Sequence, residues 1–237
     1  MTVNKYRHAD QVADSVHAAE RIVPLILALT GQIRSVVDVG GGTGAWLSVF
    51  RRSGAEELLL LDCPDVATEL LIDPSSFEPV DLSRELPAPR RFDLAVCVEV
   101  AEHLPGRMAR PLVEWLTTAA DVVAFSAAIP GQGGLGHVHL QPPGYWMELF
   151  QQRGFVRRDL LRAKIIHDET IPWWYRQNLF LYVKPDVKLS VEEPDFLPPE
   201  FQLIHADIFY DRSFMSLVRQ LGPAFVAAVK RRLGREP

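Results

Sequence analysis

The stretch SVVDVGGGTGAWLSVF, Ser35–Phe50, runs from β-branched apolar residues through four glycines in five positions into a second apolar pattern. SVVDV (35–39) reads as a short strand. AWLSVFRRSG (45–54) has the apolar spacing of a helix, with Gly54 as its stop. Strand, glycine loop and helix in this order let a nucleotide-like group approach bare backbone at the carboxyl edge of an open α/β sheet, facing a helix N-terminus. The missing side chains imply a ligand of adenosine type.

Outward from that unit the pattern repeats. ELLLLD (57–62) predicts a strand, VATELLI (66–72) a short helix, FEPVDL (77–82) an edge-like strand and FDLAVCVEV (92–100) a buried strand. A helix over 110–119 precedes the strand DVVAFSAAI (121–129). A Gly- and Pro-rich loop (130–144) follows, too long for a plain connector, and then a helix over 144–155. DLLRAKI and NLFLYVK predict a closing antiparallel pair. Near-continuous apolar strands alternating with helices indicate a parallel sheet covered on both faces. The expected fold is therefore α/β and Rossmann-like, a doubly wound, mostly parallel seven-stranded sheet with helices on both faces. Residues 8–30 predict one or two N-terminal helices interrupted at Pro24. From Lys184 the chain turns Pro-rich and acidic, so residues 1–184 are expected to form the cofactor-binding domain and 185–237 a linker with a C-terminal helical extension.

With 237 residues, 48% hydrophobic and 23% charged, the composition is that of a folded chain with one sizeable core. A net charge of −5 gives no general attraction to nucleic acid. The apolar stretch IVPLILALTG is too short for a bilayer and lacks signal-peptide flanks, so a cytoplasmic protein with no membrane partner is expected. Cys63 and Cys97 have neither disulfide-framework nor zinc-knuckle spacing and read as buried free thiols.

Two ligands compete for the glycine loop. Gly40, Gly42 and Ala45 satisfy G-x-G-x-x-G/A with Asp62 about twenty residues on, which keeps an NAD(P)-dependent oxidoreductase open. The fuller pattern is D-x-G-x-G-x-G, from Asp38 to Gly44. With the acid ending LLLLDCPD, the VDLS segment (80–83) and FDLAVCVEVAEHLP (92–105), it resembles the class I S-adenosylmethionine-dependent methyltransferases, in their small-molecule branch. The resemblance spans about residues 35–105 with its motifs in order. It implies S-adenosylmethionine as cofactor, with Asp38, Gly40, Gly42 and Gly44 near its methionine part, Asp62 on the ribose hydroxyls, Asp81 and Leu82 at the adenine, and Val98 and Glu99 beside the sulfonium. The chemistry agrees, since carboxylates accept from ribose O–H and adenine N–H groups.

Methyl transfer from a sulfonium is an in-line displacement that alignment can accelerate, and a base is needed only when the acceptor loses a proton. Candidates lie in IPGQGGLGHVHLQPPGYW (129–146), which leaves the fifth strand on the cofactor's rim. His137 and His139 alternate with Val138, so in an extended chain both face one way. They suit a base and a substrate contact, or two metal ligands; the nearby sequence offers no clear carboxylate to complete a metal site, so no metal is expected. His103, in AEHLP, has a precedent in the family near the cofactor pocket. The loop GHVHLQPPGYW also resembles a bacterial methyltransferase branch with a GHVNEQWPxYW-like loop followed by WWYRQN. Here His139, Leu140 and Pro142 replace Asn, Glu and the first Trp, while Trp173–Asn178 stand unaltered. Tyr145, Trp146, Trp173, Trp174 and Arg176 are the expected substrate-binding residues, the aromatics as a wall or a cation-π surface and Arg176 for an anionic group.

The expected function is methylation of a small molecule, at oxygen of a secondary metabolite or sugar-type acceptor. A non-catalytic cofactor-binding scaffold is the third alternative. The tail is expected to cover the active site, swap onto a neighbour in a homodimer, or cap the domain.

Overall fold

The computed structural model describes residues 8–190, and the expected helical extension lies outside them. Seven strands form one sheet: β1 (Ser35–Val39), β2 (Glu57–Asp62), β3 (Phe77–Pro79), β4 (Leu94–Val98), β5 (Val122–Ser126), β6 (Val156–Arg158) and β7 (Phe180–Val183). Their order is β3-β2-β1-β4-β5-β7-β6. The first five are parallel in register, with Val37 opposite both Leu59 and Ala95, and β7 runs antiparallel to β5 and β6.

Strand alternation divides the core in two, which is why these strands are apolar almost throughout. Val37, Leu59, Leu61, Ala95, Cys97, Val123 and Phe125 pack against α3 (Ala109–Ala119) and α4 (Pro143–Gln152). Val36, Leu58, Leu60, Leu94, Val96 and Ala124 pack on the other face, against α1 (His8–Thr30) and α2 (Ala45–Arg52). Leu60 and Val96 have no exposed surface, and truncating such a side chain to alanine costs about 2–5 kcal/mol.

Local structure departs from the sequence reading in four places. α1 continues through Pro24 as one helix, because Pro24 sits on its exposed side, where the unpaired carbonyl one turn back can bind water. Residues 66–72 form only a 3₁₀ turn, Pro64–Thr68, and an irregular return. Beside β5, the other antiparallel partner of β7 is VRR (156–158), not DLLRAKI, whose Arg162–Ile165 forms a short helix, α5. There Arg162, 2% exposed, pairs with Asp159 one turn back and lies over the Phe180 ring, a spacing that a strand cannot provide. Finally, the segment after Lys184 begins docked rather than as a free linker. The Ser190 amide donates to the Leu29 carbonyl, and Val187 and Leu189 pack on the α1 face.

Because β1, β2, β4 and β5 are parallel, their carboxyl ends share one rim. The glycine loop, Asp62, the 99–103 segment and the 130–142 loop all leave the sheet there.

Candidate active site

The glycine loop extends the β1–β2 ladder by one bond, from the Gly40 amide to the Leu61 carbonyl at 2.7 Å. Gly40, Gly42 and Gly44 then take φ of 78°, 59° and 82°, the left-handed region. A Cβ on Gly40 would lie 2.5 Å from Val100, and one on Gly41 2.2 Å from Oδ2 of Asp38. Asp62 is 8% exposed and ties the loop to β2: its Oδ2 accepts from the Gly42 amide at 2.7 Å and its Oδ1 from the Cys63 amide at 2.6 Å. Asp38 is buried, and its Oδ2 has no hydrogen-bond partner. Burial, and then the charge of Asp62, push its carboxyl up to about 8. Asp81 is exposed, held by the amide and hydroxyl of Ser83 and by Arg84, while Leu82 is buried beside it.

At the end of β4, Glu99 has φ 55°, the one non-glycine residue with positive φ among the described residues. Such a backbone persists only when its surroundings fix it. Here the Glu99 amide meets the Ser126 hydroxyl oxygen at 3.0 Å, Oε2 accepts from Gln132 Nε2 at 3.0 Å, and Oε1 accepts from Asn178 Nδ2 at 3.2 Å. Asn178 Nδ2 also donates to Gln132 Oε1 at 2.9 Å, closing a triangle of side chains from three elements. The next residues form a 3₁₀ turn, Ala101–His103, that buries Glu102 completely. Burial and the neighbouring Glu99 raise the Glu102 carboxyl well above the usual range.

The 130–142 loop is pinned to this turn. Both the Val138 and His139 amides donate to the Glu102 carbonyl, at 2.8 and 3.0 Å. Two successive amides on one acceptor bend the chain, so His137 and His139 do not share a face as the extended reading expected. The His137 ring turns to His103, 4.9 Å between centroids, while His139 stands edge-on to Tyr145 and Trp146 at 5.6 and 5.8 Å. Burial lowers both imidazoles below the ordinary histidine value. A Cβ on Gly134 would lie 2.2 Å from the His137 ring, so only glycine leaves that ring its place. Trp146 is buried against Phe125 with an unpartnered Nε1, and Tyr145 is partly exposed.

The second aromatic segment forms α6 (Trp173–Asn178). Trp173 and Trp174 are partly exposed, and Tyr175 packs edge-on to Trp46 at the start of α2. Arg176, expected to meet a substrate anion, is buried and donates to the Ile166 carbonyl at 3.0 Å. From this segment it is Asn178 that reaches the rim. Asn178, Gln132 and Glu102 were not singled out in the sequence. Asn178 and Gln132 leave no signature there, whereas Glu102 stands beside His103 in AEHLP, where its residue type is the available signal.

Residues 6–124 match the profile of the family described as "Methyltransferase domain". The chain belongs to the class I S-adenosylmethionine-dependent methyltransferases. No curated protein matches its sequence. Among solved structures, the methyltransferase is similar to an O-methyltransferase family protein from Burkholderia thailandensis, at 14% identity and TM-score 0.52, over 75% of this chain and 59% of that one. It is also similar to the methyltransferase domain of bacterial CtHen1-C, at 17% and 0.53, over 72% and 98%. A third is the magnesium protoporphyrin IX methyltransferase of Synechocystis PCC 6803, solved with bound SAH, at 15% and 0.51, over 77% and 90%. At these identities the likeness is one of fold. The methyltransferase spans little more than half of the Burkholderia chain.

The rim of this methyltransferase fits its cofactor. A glycine cradle with no room for a Cβ at Gly40 or Gly41 lies over a buried carboxylate oxygen without a partner, beside a second carboxylate at the end of β2. Such a pair of acids suits a ligand that carries an ammonium, a sulfonium and a ribose diol. No helix of the described residues is long and apolar enough to cross a membrane.

Proposed function

We propose that this methyltransferase acts on a small molecule and transfers the methyl group to an acceptor hydroxyl at the rim beside Glu102, His103 and His137. The observation that carries this reading is the cluster itself. Two imidazoles and a carboxylate, contributed by two segments pinned together through the Glu102 carbonyl, stand at the sheet edge that holds the glycine cradle.

In this reading Asp62 accepts from the ribose hydroxyls with the lone pairs left by Gly42 and Cys63, and Asp38 faces the methionine end from beneath Gly41. Asp81 and Leu82 border the adenine, and Val98 and Glu99 border the sulfur. S-adenosylmethionine, when bound, supplies a methyl carbon on a positively charged sulfur. The acceptor lies against Tyr145 and Trp146, and its hydroxyl proton is taken by His137 or His139. Burial lowers both rings below the ordinary histidine value and so favours the neutral form, which accepts a proton.

The test is a panel of phenols, sugars and hydroxy acids assayed for label from methyl-tritiated S-adenosylmethionine, with wild type and His137→Ala. An accepted hydroxyl compound, with turnover falling in the variant by roughly 100-fold or more and S-adenosylhomocysteine affinity unchanged, supports the reading. A parallel fall in turnover and cofactor affinity makes the loop structural, and methylation only at nitrogen or carbon overturns the choice of oxygen.

A further inference from the structure

Three donor atoms at the rim, one each from Glu102, His103 and His137, all lie within 4.8 Å of one another. A cation held at about 2.0–2.2 Å by such ligands sets neighbouring donors roughly 3–3.5 Å apart, so small side-chain movements close the set. The sequence offered no carboxylate near His137, and the fold brings one from the turn after β4.

The surroundings favour a cation over an empty cluster. Glu102 has no exposed surface, and neither of its carboxylate oxygens has a hydrogen-bond partner. The amides of Ala128 and of Glu102 itself and the Glu99 carboxyl all approach this carboxylate. A buried carboxylate left in this way is unfavourable unless it takes up a proton or a positive charge meets it, and two imidazoles alongside offer a cation the rest of a ligand set. Nδ1 of His137 is likewise buried and unpartnered, while the Gln132 backbone engages the same imidazole. Nδ1 of His103 meets the Gly136 carbonyl at 3.3 Å, a contact that orients the ring, as outer partners do for metal-bound histidines. The ligand-bearing segments are joined by the two amides on the Glu102 carbonyl, and Gly134 leaves room for the His137 ring.

We propose that Glu102, His103 and His137 bind one divalent transition-metal ion, with a coordination position open to the acceptor. One carboxylate with two imidazoles suits Mn²⁺, Fe²⁺, Co²⁺, Ni²⁺ or Zn²⁺ and disfavours Mg²⁺ and Ca²⁺, which seek oxygen ligands. The consequence for chemistry rests on the hydroxyl-acceptor reading above. A hydroxyl on the open position becomes more acidic and releases its proton to His139, the imidazole left to act as base when His137 holds the metal. Its oxygen then forms the bond to the methyl carbon as the carbon–sulfur bond breaks, and that electron pair stays on sulfur as the neutral thioether. The acceptor class is thereby narrowed to neutral hydroxyls that ligate a metal.

The test uses untagged full-length protein, freed of metal with a chelator and titrated with Co²⁺ and Zn²⁺ without cofactor or acceptor, by visible absorption and calorimetry. S-adenosylhomocysteine affinity is measured in parallel. One ion per chain, a Co²⁺ ligand-field band, and affinity lowered at least about 10-fold in both Glu102→Gln and His137→Ala, with S-adenosylhomocysteine binding retained, is the expected result. No saturable binding by wild type, or binding undiminished in both variants, overturns the metal site while leaving the cofactor reading intact. Should either variant fail to fold, the wild-type stoichiometry and band, with the other variant, still decide. Loss of S-adenosylhomocysteine binding in wild type is a failure of the functional reading and not of the metal site.

Discussion

The Gly42 amide donates to Oδ2 of Asp62 at 2.7 Å, joining the first turn of the glycine loop to the end of β2 across twenty residues of chain. One carboxylate thus fixes the loop's height above the sheet and borders the space that the loop leaves open. Asp62→Asn has one acceptor for two N–H donors, and its own NH₂ opposes the other. The expected result is a loss of about 1.5–3 kcal/mol in S-adenosylhomocysteine binding, roughly 10- to 100-fold, by calorimetry. Unchanged affinity would remove Asp62 from the cofactor site.

Asp38 makes the stability of the ligand-free protein depend on pH. Its folded value of about 8 lies above the ordinary 3.8. Between these values the folded chain keeps a proton that the unfolded chain has released, so stability falls as pH rises through the window and levels off above about 8. Asp38→Asn flattens that part of the profile, measured by urea unfolding at several pH values across it. An identical slope in the variant assigns the dependence to another group.

Gly41 and Gly54 separate close approach from backbone freedom. Gly41→Ala forces a methyl against the Asp38 carboxylate, whereas Gly54, at φ 103°, has nothing within 4 Å of a Cβ. Gly54→Ala should cost only backbone strain, about 1–2 kcal/mol. Its melting temperature still rises with S-adenosylhomocysteine, and in Gly41→Ala that rise is lost. Equal rises in the two variants would contradict the cradle.

Asn178 holds Glu99 in its left-handed backbone through the triangle with Gln132. Asn178→Ala removes one buried and one part-buried hydrogen bond and should lower stability by about 1–3 kcal/mol. Asn178→Asp should cost more, because it sets a second carboxylate beside Glu99. Denaturation midpoints for the pair check this, and variants within about 0.5 kcal/mol of wild type would show that the triangle holds nothing.

The sheet and its rim were legible because they rest on local signals. Val36–Val39, Leu58–Leu61 and Leu94–Val98 are apolar on both faces, and a loop with three left-handed glycines has few other uses. The DLLRAKI segment misled because Arg162 is buried by pairing with Asp159 and by the Phe180 ring, neither of which its own hydropathy reveals. The acceptor side was half legible. His103 and His137 stood out by residue type, but the carboxylate beside them comes from the turn after β4, and the bend that parts His137 from His139 is set by the Glu102 carbonyl. Proximity across thirty-odd residues is a product of the parallel sheet and is not written in either segment alone.

The central claim is that the rim from Gly40 to Asp62 binds a sulfonium nucleoside, and calorimetric titration of the wild-type chain with S-adenosylhomocysteine and, separately, NAD⁺ tests it most directly. From this claim, saturable binding of one S-adenosylhomocysteine per chain and no heat with the dinucleotide are expected. Tight binding of NAD⁺ with no heat from S-adenosylhomocysteine would contradict it.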